Sequence, residues 1–277
     1  MFDASCRSER AHQRAVGELA VGVRARNGAT VLDTLRQAGC LKARFPRPSA
    51  PGWADVVTLN TSGGIAGGDR LDSRFVLAQG ARASIAGQAA ERFYRALPAS
   101  PAARVRTHIT VAPGASAEWL AQETILYDGC ALDRRLDVAL ARDSWFLGVE
   151  MLVFGRAAMG EVVRGARVRD VVALRRDGLP LLREAVRIAG DADALLSRPA
   201  VAAGARAMAV VVHAARDAET RLDAARAALG DAQAGASAWD GMLVARALAP
   251  DGAVLRRIVA RALAALRDRP LPRVWVC

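Results

Sequence analysis

Thr58-Leu59-Asn60-Thr61-Ser62-Gly63-Gly64-Ile65-Ala66-Gly67-Gly68-Asp69-Arg70-Leu71-Asp72 carries four glycines as two pairs, with an apolar run leading in and Leu71, Phe75 and Val76 resuming an apolar pattern beyond. The arrangement reads as strand, special loop, strand. Glycine serves where the backbone takes positive φ or approaches another group closely, and four of them here cost more chain entropy than an ordinary hairpin requires. Something is fitted closely against this loop. A P-loop would need Lys-Ser/Thr after its last glycine, and the chain has Asp69-Arg70 there, a carboxylate that would repel phosphate. Glycines 63, 64, 67 and 68 fit Gly-x-Gly-x-x-Gly in no register, and the following segment reads as a strand rather than a helix. The favoured reading is a structural loop closed by a placed carboxylate, Asp69.

Outward from the loop the pattern is strand after strand. Upstream, Leu19-Ala20-Val21 and Thr30-Val31-Leu32 flank Asn27-Gly28, good hairpin chemistry, and Phe45 to Gly52 is too rich in proline for a central strand. Downstream, Arg104 to Val111 alternates with apolar residues at 105, 109 and 111, which puts His108 on the polar face; Arg135 to Leu140 alternates likewise. Trp145 to Phe154 is apolar on both faces apart from Glu150 and reads as a buried strand. Pro113-Gly114, Asp128-Gly129 and Asp177-Gly178 mark turns, and no repeat of fixed length is visible. After about Ala214 the character changes. Leu222, Ala225, Ala228 and Leu229 are spaced for a helix stopping at Gly230, and Leu255, Ile258, Ala262, Leu263 and Leu266 form a second stripe with Asp251 as N-cap. Met242 to Leu248 between them is assigned to a strand. The first dozen or so residues are polar and expected to be frayed.

The chain has 277 residues, 52% of them hydrophobic, enough for a substantial core, and a formal charge of +11 in which Lys42 is the sole lysine. That charge draws acidic partners or polyanions, but the arginines are spread among acids with no basic tail, so a solvated basic surface is favoured over a nucleic-acid-binding module. Cys6, Cys40, Cys130 and Cys277 are scattered without a Cys-x-x-Cys pair, as free thiols of a reducing compartment would be. No secretory apolar segment and no run of about 18 apolar residues occurs, so a soluble, cytoplasmic protein without a membrane role is expected.

Candidate chemistry is sparse. His12, His108 and His213 lie far apart in the chain, in no metal-ligand spacing, and Ser62 has neither a Gly-x-Ser-x-Gly setting nor a nearby base. Cys130 at its turn is expected to be inert. An enzyme using the loop at 63–68 remains as an alternative, resting on glycine content alone. The carboxylates are placed against expectation: Asp69 closes the loop, Glu150 interrupts an apolar strand, Glu161 follows Gly155-Arg156-Ala157-Ala158-Met159-Gly160, and Glu184 interrupts Leu181 to Val186. Each must be paired, hydrogen-bonded, metal-facing or hydrated. Two readings stand: a buried ion-pair network, for which Arg70, Arg92, Arg95 and Arg156 are available, or an internal wet path lined by acids, whose hard oxygens hold divalent cations loosely.

The glycine loop resembles the hallmark of the UreD (UreH) family of urease accessory proteins. The resemblance continues through Gln88 to Arg95, including Arg92 and Tyr94, and through Glu118 to Gly129, including Trp119, Gln122 and Glu123. It returns at Gly155 to Glu161, with Gly155, Arg156 and Gly160, and at Leu271-Pro272-Arg273-Val274-Trp275. Ala121 departs from the family's usual proline in the Trp-Leu-Pro-Gln run. The resemblance runs from about residue 20 to the end and implies a mainly β fold: a large antiparallel sheet, β-superhelical-like, in one domain with two α-helices near the C-terminus. The implied layout is a disordered N-terminus over 1–15 and a UreD-like domain over 16–277, β-rich across 16–213 and mixed across 214–277. It further implies a scaffold without turnover that binds apo-urease and UreF, reaches the GTPase UreG through UreF, and helps nickel into urease. No tightly bound cofactor is expected. Nickel in transit would meet Asp69, Glu150, Glu161 and Glu184.

Overall fold

The computed structural model describes residues 13–276; Cys6, His12, Cys277 and most of the 1–15 segment lie outside it. β1 (Val16–Arg26) and β2 (Ala29–Gly39) form the expected hairpin, with φ of 50° at Asn27 and 77° at Gly28. β3 (Leu41–Arg44) pairs with β4 (Ala54–Asn60), and the proline-rich segment between them joins neither sheet.

From β4 the chain winds between two sheets. β5 (Arg70–Leu77) crosses to the second sheet, and β6 (Arg82–Gly87) returns beside β4. After the short β7 (Glu91–Phe93), β8 (Ala103–Val111) joins β5, and β9 (Ser116–Leu120) joins β6. After β10 (Thr124–Leu126), β11 (Ala131–Leu140) joins β8, β12 (Trp145–Phe154) joins β9, and β13 (Ala166–Arg176) joins β11. All of these lateral pairings are parallel. The expectation of a large antiparallel sheet is therefore corrected: both sheets are mixed, with parallel centres. Period-two alternation fixes which face a residue takes but not the direction of the neighbouring strand, and here the crossover that parallel pairing demands is itself a strand of the facing sheet.

Antiparallel pairs close the ends. β14 (Leu179–Gly190) folds back on β13 through Asp177-Gly178. After α1 (Ala192–Leu196), capped by Asp191, β15 (Ala207–Ala214) pairs with β12. α2 (Leu222–Leu229), β16 (Ala234–Trp239), β17 (Met242–Ala249) and α3 (Gly252–Leu266) complete the chain. The final order is β14-β13-β11-β8-β5-β1-β2 in a seven-stranded sheet, and β16-β17-β15-β12-β9-β6-β4-β3 in a ten-stranded one that β7 and β10 join from the side. The two helices near the C-terminus and the strand at Met242 are as expected, and Asp251 accepts from Val254 N at 2.8 Å.

The strand faces explain the core. Inward residues such as Phe75, Ile109, Val138 and Leu174 meet Ile85, Phe146 and Val212 of the other sheet. Ile65, Phe93, Leu126 and Phe154 stack as successive parallel neighbours down one edge, one from each turn of the winding. The outer face of the ten-stranded sheet is also apolar, and α2 and α3 cover Leu147, Val149, Met151 and Leu243 with Leu229, Leu255, Val259 and Leu263. Burial of each such side chain contributes roughly 1.5–3 kcal/mol. The end of α3 is fixed by a fully buried pair, Arg267 Nε to Glu118 Oε1 at 2.7 Å and Nη2 to Oε2 at 2.9 Å.

Candidate functional site

The glycine loop is fitted against Tyr94. Tyr94 Oη donates to Gly63 O at 3.0 Å, and a Cβ on Gly64, whose φ is 144°, would fall 2.3 Å from the tyrosine ring. Gly67 faces Ala96 and the Pro101 carbonyl so closely that no Cβ fits, whereas Gly68 is held by its φ of 90°. Asp69 closes the loop by accepting from Ala66 N at 2.7 Å and Ala15 N at 2.8 Å. Its charge is spent on backbone donors.

Next to this loop, blocks distant in sequence converge. Tyr94 packs edge-on against Tyr127 with ring centroids 5.1 Å apart, and the Arg156 guanidinium lies 4.3 Å over the Tyr127 ring. Arg156 Nε donates to Glu161 Oε2 at 2.7 Å, and Arg95 pairs with Asp128. Burial alone would raise the Glu161 carboxyl, but the Arg156 guanidinium and the Asp128 and Arg156 amides hold it below its ordinary value. Gly155 takes φ 75° beside the Glu161 carbonyl, and Gly160 takes 64°. On another side, Gln122 Nε2 donates to Val274 O at 2.7 Å, Trp275 Nε1 to Leu120 O at 3.1 Å, and Arg256 joins Glu123 at 2.9 Å. These contacts bind the C-terminal segment to the turn containing Ala121.

The charged centre lies between the sheets. Arg134 on β11 donates Nε to Asp170 Oδ1 at 2.8 Å, Nη2 to Asp170 Oδ2 at 2.6 Å, and Nη1 to Thr124 Oγ1 at 2.6 Å. Glu150 Oε2 sits 2.8 Å from Arg134 Nη1 without the direction of a hydrogen bond, while Glu150 Oε1 accepts from Trp119 Nε1 at 2.8 Å. One guanidinium thus serves two buried carboxylates. Desolvation pushes the Glu150 carboxyl up against the pull of Arg134, and Asp170 pushes it further.

Two cavities meet at Glu150. One, of about 210 Å³, extends from the glycine loop past Asn60, Glu91 and Arg92 to Trp119, Arg134 and Glu150. The other, of about 410 Å³, runs from Glu150 and Asp170 to Glu184, Arg246 and Gly235. Burial pushes Glu91 up to about 7 despite Asn60 Nδ2, which donates to it at 3.2 Å. Glu184 is gripped by Arg246 through two hydrogen bonds. Of the four acids singled out from sequence, Glu150 and Glu184 line one cavity, whereas Asp69 and Glu161 line neither.

A buried ion-pair network does exist, though Arg156 is the only one of the four proposed arginines that pairs with a singled-out acid. Arg134 and Asp170 escaped sequence reading although a signal was present: each occupies an inward position, in line with Leu132, Leu136 and Val138, and with Val168, Val172 and Leu174. Glu91 carried no such signal, since only folding brings it under the loop. Among the described residues no group of three or more His, Cys, Asp or Glu is arranged to hold a metal ion. His108 is exposed, and His213 is buried with Nδ1 3.2 Å from Phe146 O. Desolvation pushes the buried Cys130 thiol up to about 12, which keeps it protonated at neutral pH. No helix among the described residues is long and apolar enough to cross a membrane.

Strands wound between two sheets, helices on one outer face and two cavities that share Glu150 in their walls define a β-coil scaffold with a charged interior. The chain belongs to the UreD urease accessory protein family, whose model matches residues 15–276. It is 45% identical over 265 residues to the urease accessory protein UreD of Azorhizobium caulinodans, covering 95% of this chain and 97% of that one. It is 44% identical over 272 residues to that of Methylobacterium sp., covering 95% of each, and 42% identical over 274 residues to that of Xanthobacter autotrophicus, covering 98% and 93%. The family is one of accessory proteins rather than enzymes.

Proposed function

We propose that this protein acts in urease maturation as a cytoplasmic scaffold that binds apo-urease and UreF, reaches UreG through UreF, and passes nickel through its own interior. Family membership supports the maturation role. The observation that carries the nickel route is that Glu150 lines both cavities, where two carboxyls, Glu150 and Asp170, face the single guanidinium of Arg134. A divalent cation arriving there would displace the Glu150 proton and meet carboxylate oxygens, and so sparse a set of oxygen donors releases it readily. Glu91 and Glu184 serve the two ends of the route. Asp69 and Glu161 instead hold the loops around it.

Urease activation reconstituted with apo-urease, UreF, UreG and nickel tests the route. Glu150→Gln should stay folded and retain UreF in pull-down while lowering nickel per urease active site. Full nickel loading by that variant would sink the route, and loss of UreF binding would assign Glu150 to the architecture instead.

A further inference from the structure

The outer face of the seven-stranded sheet is covered by neither α2 nor α3, which lie on the other sheet. β5, β8, β11, β13 and β14 turn ten arginines and three aspartates outward, a surplus of seven in a chain whose formal charge is +11. The basic surplus is therefore concentrated on one face. Moreover, the strand register places like charges side by side: Arg70 beside Arg104, Arg106 beside Arg135, and Arg169 beside Arg187. Like charges directly opposite destabilise a sheet, so folding stability does not account for them. Arg106 and Arg169 share Asp133, and Arg135 grips Asp137, but Arg70, Arg104 and Arg187 are exposed with no carboxylate partner among the described residues.

We infer that this face docks a carboxylate-rich protein surface, an inference that rests on the reading of the protein as a member of a multi-protein assembly. The guanidinium fork matches carboxylates two oxygens at a time, as Arg135 already shows with Asp137 at 2.7 Å on both arms. The interleaved aspartates select against a regular polyanion. Asp72, beside Glu18 in the register and with no ion-pair partner among the described residues, ends the row that Arg106 and Arg135 begin, so evenly spaced phosphates following that row would meet negative charge. A folded partner with its own charge mosaic can place acids against the free arginines and a cation against Asp72.

The test compares the wild-type chain with the triple variant Arg70→Glu/Arg104→Glu/Arg187→Glu in binding to apo-urease, to UreF and to a mixed-sequence DNA duplex, each at low and moderate salt. Affinity for one protein partner should fall at least about tenfold, with a weaker salt dependence. The glutamine triple at the same positions should lose less. A control triple off this face, Arg198→Glu/Arg216→Glu/Arg257→Glu, should bind as wild type, and melting temperatures show that each variant is folded. If wild type and the face triple bind both protein partners equally, the docking face is overturned while the assembly reading stands. Wild type that binds neither overturns the assembly reading and the face with it. Equal losses in the face and control triples, or tight duplex binding removed by the face triple, would also overturn the inference.

Discussion

Arg134 and Asp170 stand opposite each other in register on the parallel pair β11 and β13, joined by two hydrogen bonds of 2.8 and 2.6 Å. Glu150 approaches the same guanidinium from the facing sheet at 2.8 Å. Three residues from three successive strand positions of the winding thus close one electrostatic unit, and the unit depends on the cation.

Arg134→Met should accordingly cost about 3–5 kcal/mol, because it leaves two buried carboxylates without their counter-charge. Adding Asp170→Leu should recover part of that loss. Chemical denaturation measures both, and an Arg134→Met midpoint equal to that of wild type would show that water already solvates the cluster.

Asp69 and Glu184 should separate. Asp69→Asn turns one of two acceptor oxygens into a donor facing a backbone N–H, so it should cost about 1–3 kcal/mol. Glu184→Gln breaks a partly exposed pair with Arg246 and should cost under about 1 kcal/mol while reducing nickel delivery. Thermal melts paired with nickel counts per urease site distinguish them. A stable Asp69→Asn, or a Glu184→Gln that loads urease fully, contradicts the respective assignment.

Gly67→Val and Gly68→Val should both disable urease activation, for different reasons. At Gly67 a Cβ would lie 2.7 Å from that of Ala96 and 3.0 Å from the Pro101 carbonyl; at Gly68 the φ of 90° is the obstacle. Strain of that backbone kind costs about 1–3 kcal/mol. Gly114 is exposed with open space at its Cβ direction, and Gly114→Asn is the benign comparison at a positive φ of 65°. Activation retained by both valine variants would make the loop an ordinary one.

Glu91 should give stability a pH dependence of known sign. Its carboxyl sits at about 7 in the folded chain against an ordinary 4.5, so between those values the folded chain holds a proton that the unfolded chain has released. Stability from this group therefore falls as pH rises across that window. Melting temperatures from about pH 5 to 7.5 should decline less steeply for Glu91→Gln than for wild type. Parallel profiles would place the titration elsewhere.

Sequence alone determined the local structure wherever a short-range rule governs it. Asn27-Gly28 and Asp177-Gly178 made their hairpins because both residues of each turn can take positive φ. Asp251 started α3 by bonding Val254 N, and alternation in Arg104 to Val111 assigned the wet face correctly, His108 included. The four glycines announced a close fit, and two of them have one, Gly64 against Tyr94 and Gly67 against Ala96 and Pro101, while Gly63 and Gly68 serve through positive φ. Tertiary structure decided what alternation cannot carry. Strand direction was settled by the winding between sheets, which made the central pairings parallel. The partner of each buried acid was settled by register: Glu150 found Arg134 across the sheets, not one of the arginines nearer in sequence. Asp69 was drawn to two amides, Ala66 within its own loop and Ala15 at the entry to β1, which only folding brings beside it. A buried charge takes whichever counter-charge or donor folding leaves within about 3 Å, and that selection acts across distances the sequence does not encode locally.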